Sequence, residues 1–148
     1  MPKTSHERAL YQLIKEIRGA FNELKALSDR MNADLDVTAA MRAVLETLCT
    51  NGAATVPDIA RAKSVSRQHI QILADTLVSK GLARSVENPA HQRSRLLEIT
   101  AEGRTRFNEV TQRETAALAD LEKLIGTQEA AGAAKAVQKL RSAIRELK

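Results

Sequence analysis

Apolar and polar positions alternate along the N-terminal part of the chain with the spacing of three and four residues that one face of a helix requires. Between Ser5 and Met31 the apolar side chains form a narrow stripe of Leu10, Leu13, Ile17, Ala20, Leu24, Leu27 and Met31. This stripe predicts a long amphipathic helix. It either lies along its own domain or contacts a partner chain, and so long a helix in a small protein favours the partner chain.

A break and a second helix follow the first. Residues 32–36 read as the break, and Thr38 is a suitable N-cap for a helix that ends at Asn51–Gly52. The apolar stripe of this helix is formed by Met41, Val44, Leu45 and Leu48.

Residues 55–81 have the pattern of two helices joined by a short turn. Pro57 suits the first turn of a short helix that buries Ile59–Ala60. Ser66 can cap a second helix, which Lys80–Gly81 closes. The inward stripe of the second helix is Ile70, Leu73 and Leu77. Two helices joined by a few residues, with a small alanine inside the first, predict a helix-turn-helix.

Two short β-prone runs, residues 82–86 and 95–99, come next and are separated by the polar segment 87–94. They predict a two-stranded hairpin with a polar tip. Thr100 suits the N-cap of a helix that continues to about Ile125. Beyond Gly126, a last helix carries an apolar stripe of Ala133, Val137, Leu140, Ile144 and Leu147.

Composition favours helices packed on helices and an anionic partner. Only 2% of the residues are aromatic, and the chain has a formal charge of +5 with a pI near 9.7. The basic excess is largest in residues 55–100, where seven Lys and Arg residues stand against four Asp and Glu residues. The predicted helix-turn-helix and hairpin therefore lie in the most basic part of the chain.

Other sequence features limit the class of protein. Cys49 is the sole cysteine, which excludes an internal disulfide and a Cys-based metal cluster and fits a reducing compartment. No run approaches the ~18 apolar residues of a membrane span, and the N-terminus is too charged for a secretory signal. No phosphate-binding loop, nucleophile elbow or HExxH motif is present. We expect a cytoplasmic, soluble protein that is not an enzyme, with no cofactor, metal or membrane partner.

The order of helix-turn-helix, hairpin with a basic tip, and long helix opening on ITAEG resembles the MarR family of winged helix-turn-helix transcription regulators. The family's wing pattern is an Asp, any residue, an Arg, five residues, Leu-Thr, and a Gly three residues further on. Here His91, Arg93, Ile99–Thr100 and Gly103 stand at those spacings. The resemblance covers residues 35–105 in detail, and the flanking helices match in arrangement.

The resemblance implies a mainly α fold, a winged helix-turn-helix with a small β-hairpin wing and N- and C-terminal dimerisation helices. The expected domains are 1–34 for the N-terminal dimerisation helix, 35–100 for DNA binding and 101–148 for the C-terminal dimerisation helices. The implied partners are a second copy of the chain and a pseudo-palindromic operator in double-stranded DNA, with half-sites roughly 10 base pairs apart and repression the usual outcome. The expected dimerisation residues are Leu10, Leu13, Ile17, Leu24, Val137, Leu140, Ile144 and Leu147.

The second helix of the motif is the expected recognition helix. A step of about 100° per residue places Gln68, Gln71, Ile72 and Asp75 away from its buried stripe. Glutamine pairs with adenine, arginine with guanine or phosphate, and an isoleucine with the thymine methyl group. The expected recognition-helix residues are therefore Ser66, Arg67, Gln68, Gln71 and Ile72, with Lys63, Ser64 and Arg84 at the DNA backbone.

The expected wing residues are His91, Arg93 and Arg95. Arg93 would enter a minor groove, where narrow A·T-rich sequence attracts a guanidinium. His91 replaces the family's Asp, which is positioned to hold the wing Arg. The alternatives are a looser tip, an anchor from Glu87, or a His91 that itself faces a phosphate. Arg84 either touches phosphate or pairs with Glu98 across the hairpin.

Many family members release DNA when a small aromatic or anionic ligand enters the crevice between winged domain and dimer helices, so the resemblance implies such a ligand. Two other classes of function compete with a sequence-specific regulator. A helical interaction or scaffolding protein would leave the wing and Ile72 without a role. A sequence-indifferent nucleoid binder would have no use for a glutamine-rich groove face.

Overall fold

A computed structural model describes Met1 and residues 3–147, and it is mainly helical with one small sheet. The elements in chain order are α1 Ser5–Met31, a 3-10 turn Ala33–Leu35, α2 Ala39–Asn51, β1 Ala54–Thr55, α3 Val56–Lys63, α4 Arg67–Ser79, β2 Ala83–Val86, β3 Leu96–Ile99, α5 Ala101–Leu121 and α6 Thr127–Glu146. None of these helices is both long and apolar enough to cross a membrane. The predicted winged helix-turn-helix fold is confirmed.

Backbone contacts divide the chain into two units, residues 1–110 and 111–148. The first unit holds the apolar core, to which α2, α3, α4 and the sheet contribute. Leu45 and Leu77 are its most deeply buried leucines. The remaining buried apolar residues are Leu35, Val37, Met41, Val44, Leu48, Ile59, Ala60, Ile70, Ala74, Leu82, Ala83, Leu97, Ile99 and Val110. In the second unit α6 has no buried residue among those described.

Side-chain caps start α2 and α3, the two helices directly before α4 in the chain. Thr38 Oγ1 accepts from Met41 N at 3.2 Å at the start of α2. Thr55 Oγ1 accepts from Asp58 N at 3.2 Å at the start of α3. Each cap satisfies an N–H that has no partner inside its own helix.

The sheet is antiparallel and three-stranded, in the order β1-β3-β2. The predicted hairpin is its larger part, with Arg84 opposite Glu98 and Ser85 opposite Leu97. The prediction missed β1, a two-residue strand that pairs Ala54 with Leu97. Two residues are too short to show an alternating pattern, so this strand forms only because β3 offers a free edge.

Two further details differ from the sequence prediction. Helix α5 ends at Leu121 rather than near Ile125, and Glu122 to Leu124 form a turn instead. In α4 the buried stripe is Ile70, Ala74 and Leu77, whereas Leu73 is half-buried against the core. Ala74 lies one turn from Ile70, and its small side chain allows close packing against the core. The sequence prediction did not include Ala74 in the buried stripe.

The junction between the wing and α5 depends on Thr100 and Gly103. Thr100 Oγ1 donates to Gly81 O at 2.6 Å and accepts from Gly103 N at 3.0 Å. Gly103 is buried in the first turn of α5, where a methyl group would collide with the Leu82 carbonyl oxygen and lie 2.8 Å from Ile99 Cγ1. The Thr and Gly of the wing pattern therefore fix how α5 leaves the winged unit.

Candidate nucleic-acid interface

Helix α4 presents one polar face to solvent while its other face packs in the core. The exposed residues of its first two turns are Arg67, Gln68, His69, Gln71 and Ile72. Ser66 Oγ accepts from His69 N at 3.1 Å and so begins the helix. The predicted recognition residues thus lie together at the exposed N-terminal end of one helix, the end that enters a major groove in helix-turn-helix proteins.

Ile72 is the unusual member of this face. Its side chain is 59% exposed, although burial of an isoleucine stabilises a folded chain by roughly 1.5–3 kcal/mol. It lies between polar neighbours one turn from Gln68, so it is placed to meet a methyl group within a groove.

Gln71 and Asp75 form a pair on the same face. Gln71 Nε2 donates to Asp75 Oδ1 at 2.9 Å, and both residues are exposed. The spacing of four residues permits this contact on a helix. Arg67, in contrast, forms no ion pair with any described residue, so its charge is available to a partner.

The turn before α4 holds the two residues expected at the DNA backbone. Ser64 adopts a left-handed conformation with φ of 56°, the conformation for which such turns often use glycine. Lys63 Nζ lies 3.8 Å from Glu46 Oε2, which also accepts from Arg42 at 2.7 Å. The Lys63 ammonium is therefore partly neutralised within the chain, while Ser64 is exposed.

The three arginines of the wing differ in whether their side chains are bound within the chain. Arg84 Nε donates to Glu98 Oε2 at 2.7 Å, so the cross-hairpin pair is the alternative that the structure adopts. Arg95 donates to Ser85 Oγ at 2.7 Å and to Ser85 O at 3.1 Å, which folds its guanidinium against β2. Arg93 is exposed and bonds to no described residue. Arg93 is thus the wing arginine with an unshared charge.

The wing tip is shaped by backbone turns rather than by an ion pair. Asn88 Oδ1 accepts from Ala90 N at 3.1 Å, and His91 N donates to Asn88 O at 3.2 Å. The His91 side chain is exposed. Within the described chain Glu87 does not pair with Arg93, so the expected acid anchor is not formed here and the looser tip and the phosphate-facing His91 stay as alternatives.

Sequence reasoning missed Ser85, which positions Arg95, and it left open whether Arg84 pairs with Glu98. The hairpin register carries the signal, because Arg84 stands directly opposite Glu98 and Ser85 lies near the start of β3. The pairing register of a hairpin can be assigned from sequence only when the turn type is known, and the eight-residue tip does not specify a turn type.

Other chemistry is limited among the described residues. They contain no group of three or more His, Cys, Asp or Glu side chains that could hold a metal ion. Burial raises the pKa of the Cys49 thiol, an effect that the nearby Arg104 charge partly opposes. A raised pKa leaves less thiolate, the reactive form, so the environment of Cys49 resembles that of an unreactive cysteine.

The Ser66 cap gives a direct test of what positions α4. Replacing Ser66 with alanine is expected to lower the free energy of unfolding by about 1 kcal/mol, because His69 N loses its acceptor. Ser66→Asp keeps an acceptor oxygen and is expected to stay close to the wild-type protein. Urea unfolding followed by circular dichroism measures both, and equal stability of the alanine and wild-type proteins would show that the cap contributes nothing.

Comparisons with known proteins place this geometry among described folds. No family model matches the sequence. A protein named Rv2011c from Mycobacterium tuberculosis is 41% identical over 69 residues, which are 47% of this chain and 48% of that protein. A Mycobacterium bovis protein, Mb2034c, matches to the same extent. The match thus spans about half the length of these curated relatives.

Solved structures match over nearly the whole chain. A MarR family transcription regulator, SP03579, has a TM-score of 0.83 at 26% identity and covers 96% of this chain and 94% of its own. A mutant of MarR from E. coli, complexed with operator DNA, has a TM-score of 0.80 at 23% identity, over 93% of this chain and 99% of its own.

The helix-turn-helix, the sheet behind it and the flanking helices define a winged helix protein. Solved structures that share this fold over nearly the whole chain include MarR family transcription regulators, and this likeness supports the resemblance to that family seen in the sequence. These structural neighbours are transcription regulators, which supports the expectation that the chain is not an enzyme.

Proposed function

We propose that the chain is a transcription regulator that binds double-stranded DNA sequence-specifically as a homodimer, with repression by occupying a promoter as its mode of action in the cytoplasm. The observation that carries the proposal is the exposed face of α4, on which Gln68, Gln71 and Ile72 stand together. Arg93 on the wing adds an unshared positive charge to the same unit. Amides that read base edges and an isoleucine that meets a thymine methyl are suited to a major groove.

Exposed apolar residues support the homodimer. Helix α1 has no buried residue within the chain, and Leu24 on its seam is 59% exposed. In the second unit Ile144 and Leu147 of the C-terminal stripe are 54% and 85% exposed. Apolar stripes left open on two long helices indicate surfaces that a second copy covers. The expected dimerisation residues remain a proposal on this basis.

Different contributions are proposed for the wing and the recognition helix. Arg93→Ala is expected to weaken binding on all duplexes, most where the flanks are A·T-rich, and to lower the slope of log affinity against log salt by about one. Gln68→Ala is expected to relax preference at one base position in each half-site, by about 1–3 kcal/mol.

Fluorescence anisotropy on duplexes with single base-pair changes, at several salt concentrations, separates the two effects. Asn22→Ala, on the exposed side of α1 away from the seam, serves as a control that changes neither. Equal weakening by Arg93→Ala and Gln68→Ala on every duplex would contradict these roles. Salt-sensitive binding with no base preference would favour a nucleoid binder, and no binding would favour a helical scaffold.

Release by a small ligand is a further part of the proposal. Arg42 lies over the Phe107 ring, 5.8 Å from its centre, in the first unit. Arg42 is also paired with Glu46 at 2.7 Å, so its charge is shared within the chain. The half-buried Phe107 ring is an aromatic group of the kind that a small aromatic ligand could contact, and on this ground such a ligand stays part of the proposal.

A further inference from the structure

Gln71 is expected to read a base, yet its amide is already bound within the chain. Its Nε2 donates to Asp75 Oδ1 at 2.9 Å, one helical turn further along the exposed face of α4. An ionised carboxylate accepts hydrogen bonds and donates none. The contact therefore forms only when the NH₂ group, and not the carbonyl oxygen, of Gln71 faces Asp75.

The fixed amide leaves a defined pattern for a base. When the N–H that points away from Oε1 donates to Asp75, the remaining N–H and Oε1 lie side by side on the free edge of the amide. This edge offers one donor and one acceptor. Adenine presents the complement in the major groove, because its N6 amino group donates and its N7 accepts.

Guanine needs a hydrogen-bond donor at the place where the held Gln71 amide presents the acceptor Oε1. Its O6 and N7 are both acceptors in the major groove, so Oε1 would face O6 without a proton between them. A free glutamine could turn its amide over and present its NH₂ group to O6. In this chain the turned amide would place Oε1 against the Asp75 carboxylate, where two acceptors repel.

We propose that Asp75 is a positioning residue that holds Gln71 in the adenine-reading orientation and thereby sets the base preference at one base pair of each half-site. The proposal rests on the DNA-binding function proposed above. Asp75 itself need not touch a base. Its negative charge also lies on the side that faces DNA, so it weakens attraction to all phosphates while it sharpens one preference.

The experiment compares dissociation constants by anisotropy for the full chain on its selected duplex and on duplexes with each base pair changed. Gln71→Ala first identifies the position that Gln71 reads. At that position we expect the wild-type protein to prefer adenine to guanine by roughly tenfold, and Asp75→Ala to reduce the ratio to about twofold. Asp75→Ala is also expected to bind all duplexes more tightly.

Three further variants separate positioning from charge. Asp75→Asn loses the charge and gains an NH₂ donor that can also bind the turned Gln71 amide, so its ratio should fall close to that of Asp75→Ala. Glu109→Ala removes an equal charge from the exposed side of α5 and should leave the ratio unchanged. In a Gln71→Ala background, Asp75→Ala should not change the ratio, because no amide remains to be held.

An unchanged adenine-to-guanine ratio in Asp75→Ala, with affinity altered equally on every duplex, would overturn the positioning role and leave the proposed function intact. If Asp75→Ala changed the adenine-to-guanine ratio as much in the Gln71→Ala background as in the wild-type protein, the positioning role would also be overturned. Absence of any base preference in the wild-type protein would instead overturn the proposed function.

Discussion

Replacing Gly103 with alanine is expected to lower the free energy of unfolding by about 3 kcal/mol, the upper end for an overpacked site. The added methyl would collide with the Leu82 carbonyl oxygen, which is backbone and cannot turn aside as a flexible side chain can. Relief would require α5 to move away from the wing. Alanine otherwise favours a helix over glycine by about 1 kcal/mol, so the collision must exceed that gain.

Gly19→Ala is the matched control for this substitution. Gly19 also lies within a helix, but a methyl group there meets nothing within 4 Å. It is on the side of α1 away from the apolar seam, so alanine is expected to stabilise the protein by up to about 1 kcal/mol. Urea unfolding at fixed protein concentration gives both values. A Gly103→Ala protein as stable as wild type would show that the wing and α5 do not depend on this close approach.

Replacing Leu24 with aspartate is expected to turn the proposed homodimer into a monomer and to weaken operator binding about 100-fold. Leu24 is 59% exposed within the chain, so the fold of the single chain should survive the charge. In the proposed dimer the same charge would be buried without a partner, which costs several kcal/mol. A monomer engages only one half-site and loses the gain of two linked contacts, commonly 10²–10⁴-fold.

Asn22→Asp introduces the same charge on the opposite side of α1 and should leave both mass and affinity unchanged. Sedimentation equilibrium gives the mass, circular dichroism shows whether the helices are retained, and anisotropy on a two-half-site duplex gives the affinity. A Leu24→Asp protein that remains a dimer would move the interface away from this seam. A wild-type protein that is a monomer and still binds the full site tightly would contradict the dimer altogether.

The helices could be read from the sequence because their ends are defined by local chemistry. Ser66, Thr38 and Thr100 cap helices through contacts three residues away, a distance that the sequence shows directly. The wing was predictable as a hairpin because two β-prone runs, residues 82–86 and 95–99, flank a polar segment. The strand β1 was not, because Ala54–Thr55 becomes a strand only through pairing with β3, a contact more than forty residues distant.

The sequence predicted where the side chains of the site lie, but not which of them are bound to other residues of the chain. The helical step placed Gln68, Gln71 and Ile72 on one face, and the structure exposes all three. The sequence did not show that Arg95 is held by Ser85 while Arg93 is unshared, because that difference depends on the hairpin register. It also showed Gln71 and Asp75 four residues apart without showing that their side chains meet.

Site selection from a random duplex library by the purified protein, at about 0.15 M salt, is the most direct test of sequence-specific binding. We expect enrichment of an inverted repeat whose half-site centres lie roughly 10 base pairs apart, with A·T pairs where the glutamines and Ile72 of α4 make contact. Salt-sensitive binding without any enriched sequence would contradict a sequence reader.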